Sequence, residues 1–265
     1  MKGSTGKMAV FPAGEVAATL DEALARRLSI RTAEVTGSTN DDIRVLAEKG
    51  KKEGAVMIAG EQTAGKGRHG HSFYSPKDSG LYMSILLRPS LPASQSLMIT
   101  TAAAVAVSQA IGELTGTDPV IKWVNDIFIG GRKVCGILTE ASLTAGGVMD
   151  HAVLGIGVNV AESAFPEDIR DTAGTLGADA GIRAKLAGLI LTRFFRIYDD
   201  LPSNAYMEEY RRRSFLIGRN VAYERGSMRY TGRVAGIDDE ARLIVERDGT
   251  VDILSSGEIS VRPVK

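Results

Sequence analysis

The segment that most constrains this chain is residues 95–114, QSLMITTAAAVAVSQAIGEL, which is Ala-rich and apolar nearly all round its helical repeat. A helix with no polar face must lie buried against another layer. Strand-like runs stand on both sides of it. AVMIAGEQ and GLYMSILLRP come before, the second ended by Pro89, and HAVLGIGVNV comes after. VIKWVNDIFIGGRKVCGILTEA reads as a hairpin whose turn is near Gly130-Gly131. The pattern predicts an α/β (α+β) domain in which this helix packs on a mixed β-sheet.

Other helices are expected around that layer. Residues 15–28 carry helical spacing at Val16, Leu20, Leu24 and Leu28, and Ala33 to Val35 follows as a strand. Ser38-Thr39-Asn40 opens a short helix with acids in its first turn and Gly50 as its stop. Residues 182–212 read as helical, with an apolar face at Leu186, Leu189, Ile190, Phe194 and Ile197. From about Gly218 the character changes to short alternating strands, with Asp248-Gly249 as a two-residue hairpin turn. Five short strands in so few residues predict a small closed SH3-like barrel. The expected organisation is an N-terminal extension over 1–35, a catalytic domain over 36–216 and the barrel over 217–265.

Charge and cysteine content narrow the function classes. Lys+Arg and Asp+Glu both number 32, which argues against a general polyanion binder. Cys135 is the single cysteine, so no intrachain disulfide forms. The apolar stretches are expected to fall short of the roughly 20 residues that span a bilayer. Residues 1–8 lack the apolar core of a secretory signal, so no membrane partner is expected and the cytoplasm is the default location. Only 37 residues precede Ser38. A helix-turn-helix module needs on the order of 60, so no DNA binding is expected.

Three polar constellations interrupt the apolar pattern. The first, Gly65-Lys66-Gly67-Arg68-His69-Gly70, formally matches the dinucleotide fingerprint G-x-G-x-x-G. That fingerprint requires a helix to start at its last glycine and an acid about 20 residues on. Here the chain continues through Pro76 into a strand, and no acid occurs from Ser79 to Gly112. A P-loop motif is also missing. The loop offers flexible backbone and two cations, Lys66 and Arg68, a way to hold anions; a solvated surface hairpin is the alternative. His69 and His71 have no supporting metal-ligand spacing from Cys135 or His151. The second constellation is Lys122-Trp123-Val124-Asn125-Asp126, followed by Arg132-Lys133. Lys122 stands among apolar neighbours and needs an anionic partner if buried, while Asn125-Asp126 suits a bulge or turn better than a strand. The third is Gly155-Ile156-Gly157-Val158-Asn159, where glycines allow close approach of backbone or ligand.

In order and combination these segments resemble the biotin protein ligases. The family pattern runs S-T-N, Q-x-A-G-[RK]-G-R-x-G, F-x-S-P, K-W-P-N-D, R-K-x-x-G-I-L-x-E and G-x-G-x-N. It is matched by Ser38 to Asn40, Gln62 to Gly70, Phe73 to Pro76, Lys122 to Asp126, Arg132 to Glu140 and Gly155 to Asn159. Gly257 to Ser260 is similar to the family's ending, so the likeness covers about residues 36–262.

The resemblance implies that ATP and biotin form biotinyl-5′-AMP with Mg²⁺, and that the biotinyl group moves to a lysine of a biotin carboxyl carrier domain, as in acetyl-CoA carboxylase. It implies that Ser38, Thr39, Asn40 and Gln62 face the biotin head. Lys66, Gly67, Arg68 and Lys133 would meet the carboxylate and α-phosphate. Phe73, Lys122, Asn125 and Asn159 would lie near the nucleotide. Asp126 is the candidate to deprotonate the acceptor lysine. Val124 in place of the family's proline, Lys66 in place of the commoner arginine and His71 in place of a frequent arginine are departures. A lipoate or octanoate ligase or transferase of related fold is the nearest rival, and a non-enzymatic biotin sensor the next. A homodimer through sheet edges is compatible with the pattern.

Overall fold

The computed structural model describes residues 12–225, 228–255 and 262–263. Its larger layer is a seven-stranded sheet in the order β1-β2-β3-β7-β6-β5-β4. The strands are β1 (Ser29–Ala33), β2 (Ala55–Ala59), β3 (Gly80–Leu87), β4 (Val120–Lys122), β5 (Asp126–Ile129), β6 (Arg132–Leu143) and β7 (Met149–Asn159). Only β1 and β2 run parallel, and every other neighbouring pair is antiparallel.

Side-chain alternation gives the sheet two different faces. Leu81, Met83, Ile85 and Leu87 of β3 join one large core with helices α4 (Ser96–Thr115), α5 (Arg183–Asp199) and α6 (Met207–Arg213). Leu86 and Val153 point the other way, into a smaller cluster under helix α3 (Thr39–Glu48) with Ile43 and Ala47. The sheet is therefore buried on both sides at its centre, and all eight residues of β3 are buried.

The apolar helix expected over 95–114 is α4, which ends at Gly116 in a left-handed cap (φ 68). Contrary to the sequence reading, it is long and apolar enough by length and composition to cross a membrane. Most of it is buried here against the sheet, α5 and α6, which accounts for its apolar surface. Two long helices expected from spacing are each broken. Residues 15–28 form α1 (Ala13–Ala17) and α2 (Glu22–Arg27), because the Asp21 carboxylate accepts from Leu24 N at 2.8 Å and starts a new helix. The strand that follows is Ser29–Ala33 instead of 33–35, drawn earlier by its parallel pairing with β2. Residues 182–212 split into α5 and α6 around Pro202 and Asn204, the latter at φ 57.

The second sheet is antiparallel, in the order β11-β10-β9-β8-β12. It comprises β8 (Asn220–Arg225), β9 (Met228–Ile237), β10 (Leu243–Arg247), β11 (Thr250–Leu254) and β12 (Arg262–Pro263). Asp248 (φ 47) and Gly249 (φ 75) make the expected hairpin turn. Where a closed barrel was expected, β11 and β12 are not paired with each other among the described residues. Gly257 to Ser260 lie outside those residues.

Glu53 ties three elements together. Its carboxylate accepts from Arg27 Nη2 (2.8 Å), Arg88 N (2.9 Å) and Tyr198 OH (2.8 Å), while Arg27 also pairs with Asp199 (2.7 Å). Burial alone would raise the Glu53 pKa, but these hydrogen bonds outweigh it and hold the value below the ordinary 4.5. A depressed carboxylate stabilises the fold above its unfolded pKa and loses that contribution as pH falls through its folded value. Glu53→Gln should therefore cost about 1–3 kcal/mol at pH 7 in urea unfolding, and the gap to wild type should narrow as pH falls below about 4.5.

Candidate functional site

The site lies on the α3 face of the sheet, and strand register explains where. Tyr82, Gly157 and Gly136 form one row across β3, β7 and β6. Ser84, Gly155 and Leu138 form the next, and Leu86, Val153 and Glu140 the third. Three glycines thus leave bare backbone where neighbouring rows carry side chains. Two groups lie on that floor. A Cβ at Gly157 would sit 2.5 Å from the Phe73 ring, and one at Gly155 would run into the Asn40 amide. An open cleft of about 460 Å³ stands over the floor.

The N-terminus of α3 closes one end of the cleft with Ser38, Thr39 and Asn40, all nearly fully buried. Ser38 is the residue before the first turn, yet its side chain makes no cap bond and lines the cleft. Gln62 holds Thr39 through its Oε1, which accepts from Thr39 N at 2.9 Å and Thr39 Oγ1 at 3.0 Å. Its Nε2 donates to Ser75 Oγ (2.9 Å), which in turn donates to the Phe73 carbonyl (2.9 Å). Sequence reasoning missed Ser84, whose hydroxyl reaches Thr39 Oγ1 (2.7 Å) and Asn40 Oδ1 (2.6 Å). A lone hydroxyl inside the apolar run LYMSILL was the signal that could have found it.

The glycine-rich loop is a small hairpin, with Lys66 bridged to Ser72 and Gly67 N donating to His71 O at 2.7 Å. Its tip, His69 (φ 54) and Gly70 (φ 77), is exposed, and no helix follows it. Its inner side carries Lys66, Gly67 and Arg68 to the cleft wall. Lys66 is ion-paired with Asp41 of α3. Arg68 Nη1 donates to Asn125 Oδ1 at 3.2 Å. Burial pulls the Arg68 pKa below its ordinary value, partly offset by the charge of Asp126. A guanidinium pulled from water in this way gains from any further anion placed beside it.

Lys133 reaches the same face through a β-bulge. Asp126 pairs with Gly136 and Ile127 with Cys135, but Phe128 pairs with Lys133, so Val134 is the extra residue. Val134 and Cys135 both enter the large core, and Lys133 returns to the face of Gly136. Burial raises the Cys135 thiol pKa, which keeps it protonated and inert. Lys133 Nζ is 2.7 Å from Asp126 Oδ1. The contact is an ion pair without hydrogen-bond alignment, and it leaves Oδ1 buried with no hydrogen bond. Asn125 is clamped to β6 through its Nδ2 (to Ile137 O, 2.9 Å) and its carbonyl (from Ile137 N, 3.0 Å).

Residues 123–125 form a tight turn, as the poor strand propensity of Asn125 allowed, while Asp126 is already in β5; the Trp123–Val124 peptide is cis. The turn is held from outside: Tyr210 OH donates to Val124 O (3.0 Å), and Trp123 Nε1 donates to Ala241 O (2.8 Å) in the turn that joins two strands of the second sheet.

A second cleft of about 430 Å³ shares Phe73 and Lys133 with the first. Asn159 lines it, donating from Nδ2 to Gly174 O at 2.9 Å, along with Tyr74 and Phe165, whose rings meet edge to face. Lys122 stands opposite Asp126 in the β4–β5 ladder and lines neither cleft. No group of three or more His, Cys, Asp and Glu side chains that could hold a metal occurs among the described residues.

Comparison with known proteins places the chain in a family. Residues 32–159 match the biotin/lipoate A/B protein ligase family, and residues 216–262 match the biotin protein ligase C-terminal domain. The chain is 34% identical over 239 residues to the bifunctional ligase/repressor BirA of Bacillus subtilis, covering 86% of this chain and 72% of that protein. It is 32% identical to the biotin–[acetyl-CoA-carboxylase] ligase of Mycobacterium tuberculosis, covering 84% and 85%. The solved biotin protein ligase from Aquifex aeolicus, in complex with biotin and ATP, superposes with a TM-score of 0.76 at 27% identity, covering 89% of this chain and 99% of that one.

The floor makes a direct prediction. Gly157→Ala forces the Phe73 ring off its seat and should cost about 1–3 kcal/mol in denaturant unfolding. An alanine at Gly236, where a Cβ would meet nothing within 4 Å, is the matched control and should cost less.

Proposed function

The chain belongs to the biotin protein ligase family, and from that premise we propose that it activates biotin with ATP and transfers the biotinyl group to a lysine of a biotin carboxyl carrier domain. The observation that carries the proposal is that two cations, Arg68 and Lys133, line the first cleft and that Lys133 also lines the second. The polar end at Ser38, Thr39, Asn40 and Gln62 suits the ureido head of biotin, with its acceptor oxygen and two donor nitrogens. The second cleft, with its rings and Asn159, suits the adenosine.

In the first step a biotin carboxylate oxygen attacks the α-phosphorus of ATP. A P–O bond to the leaving pyrophosphate breaks, and biotinyl-5′-AMP remains. Two anions must meet, and the repulsion is the main barrier the protein can lower. Arg68, held by Asn125, offsets that charge from a fixed position, and Lys133 adds a second cation once it turns from Asp126. Arg68 is partly desolvated before the substrates arrive, which strengthens its pull on them. Magnesium would enter with the nucleotide, held largely by phosphate oxygens. The described residues include no group of three or more His, Cys, Asp and Glu side chains that would cage it.

In the second step the ε-amine of the acceptor lysine attacks the biotinyl carbonyl, and AMP leaves. The amine has an ordinary pKa of about 10.4, so it must lose a proton to react at neutral pH. Asp126 is the proposed acceptor: its Oδ1 carries no hydrogen bond, although Lys133 must first turn from it towards the phosphate. The glycine-rich loop, whose inner side already lines the cleft, would cover the mixed anhydride and keep water out. ATP as substrate and a reduced lone cysteine fit a cytoplasmic setting.

Substrate-dependent ATP–pyrophosphate exchange tests the first step. Biotin should support exchange, and lipoate and octanoate should not. Lys133→Ala should reduce the biotin-dependent rate by about 10²–10³-fold. Exchange with lipoate or octanoate in place of biotin would move the chain to the rival activity, and tight biotin binding without exchange would leave a sensor. Asp126→Asn separates the two steps: transfer from preformed biotinyl-5′-AMP to a carrier domain should fall more than exchange does. Equal losses would mean that Asp126 acts only by holding Lys133.

A further inference from the structure

Glu140 ends the motif that begins at Arg132, yet the chemistry above gives it no task. It projects from β6 on the glycine face, one row beyond Leu138, and it does not line the first cleft. Its Oε2 accepts from Asn40 Nδ2 at 2.7 Å. On the other side of the same amide, Ser84 Oγ donates to Asn40 Oδ1 at 2.6 Å. We propose that Glu140 is a positioning residue that fixes which way round the Asn40 amide faces the cleft, and so sets recognition of the substrate's hydrogen-bonding head. This rests on the reading of that head as the ureido group of biotin.

A carboxylate can only accept hydrogen bonds, so the Asn40 nitrogen must face it; a flipped amide would bring Oδ1 against a negative charge. Ser84 is compatible with that choice from the opposite end, its hydroxyl reaching Oδ1, but a hydroxyl can also accept, so the carboxylate is what decides. Thr39 Oγ1 gives its proton to Gln62, so the single Ser84 proton is shared between Thr39 and Asn40 as acceptors. The amide cannot slide away, because it lies against the backbone of Gly155. With one proton on Nδ2 and one lone pair on Oδ1 committed, Asn40 has one donor and one acceptor of known direction left for a ligand. A ureido group offers the matching pair, and a dithiolane or an alkyl chain does not.

The charge on Glu140 is itself supported. Arg44 Nη1 lies 3.7 Å from Glu140 Oε1, and Arg44 also pairs with Asp41, the partner of Lys66 in the glycine-rich loop. Glu140 thus stands at the end of a row of alternating charges along the outer rim of the cleft.

The test is a double-mutant cycle read by calorimetric binding of biotin in the absence of ATP. Glu140→Ala should weaken binding by about tenfold or more, as expected for loss of a charge-assisted bond that orders a contact group. Glu140→Gln keeps an acceptor oxygen and should lose less. In an Asn40→Ala background, Glu140→Ala should add almost nothing, since its effect passes through that amide. At saturating biotin, exchange by Glu140→Ala should stay within about twofold of wild type, with KM for biotin raised and KM for ATP unchanged. Unchanged binding by Glu140→Ala, a loss that adds in full to Asn40→Ala, or Glu140→Gln as damaging as Glu140→Ala would each overturn the assignment. A wild-type protein that binds no biotin would overturn the ligase reading and this inference together.

Discussion

The bare floor of Gly136, Gly155 and Gly157 is the constraint on which the rest of the site depends. In a sheet buried on both faces, every position normally sends a side chain into a packed layer. Here adjacent rows of β3, β7 and β6 lack side chains at three crossings. The space that opens is what Phe73 and Asn40 lean into, and it is why α3 and the glycine-rich loop meet over a cleft instead of a core. The opposite face of the same strands carries Leu81, Met83, Ile137, Ile156 and Val158 into dense packing with α4 and α5. One face supplies stability and the other supplies room.

Charge is arranged around that room in a way that favours an anionic visitor. Arg68, Lys133 and Asp126 form a compact group in which one carboxylate serves two cations. The group is held by parts of the chain far apart in sequence. Asn125 takes Arg68 and is itself clamped to β6, while the turn that carries it is braced by Tyr210 and by the Trp123–Ala241 hydrogen bond. The turn between β9 and β10 of the second sheet therefore buttresses one wall of the cleft. Arg211 adds to the joint, with Nε donating to Ile237 O at 2.7 Å.

Much of the fold was legible because its signals are local. The buried helix α4, the strands β2, β3 and β7, and the Asp248-Gly249 turn follow from composition and spacing within single segments. The places where spacing misled are places where a side chain or a remote strand competed. Asp21 restarted a helix that the apolar periodicity would have continued, and pairing with β2 moved the first strand four residues earlier. The cleft residues Ser38 to Asn40, Gln62 and Lys66 to Arg68 were named from ordered motifs, but nothing in those motifs says that Asn159 lies in a second cleft or that Lys122 lines neither.

By itself, then, the sequence determined the main helix and strand segments though not all their bounds, which residue types could meet an anion and which family the whole order of motifs resembles. Those are properties of neighbours along the chain. The tertiary structure alone decided which way the groups point. Simple alternation along β6 would set Lys133 on the opposite face from Gly136, and a single extra residue, Val134, brings it back. The pairing of Glu140 with Asn40 spans 100 positions and depends on α3 crossing one face of the sheet. Register, bulges and crossings are settled by pairing between distant strands, and a linear pattern carries no record of that choice.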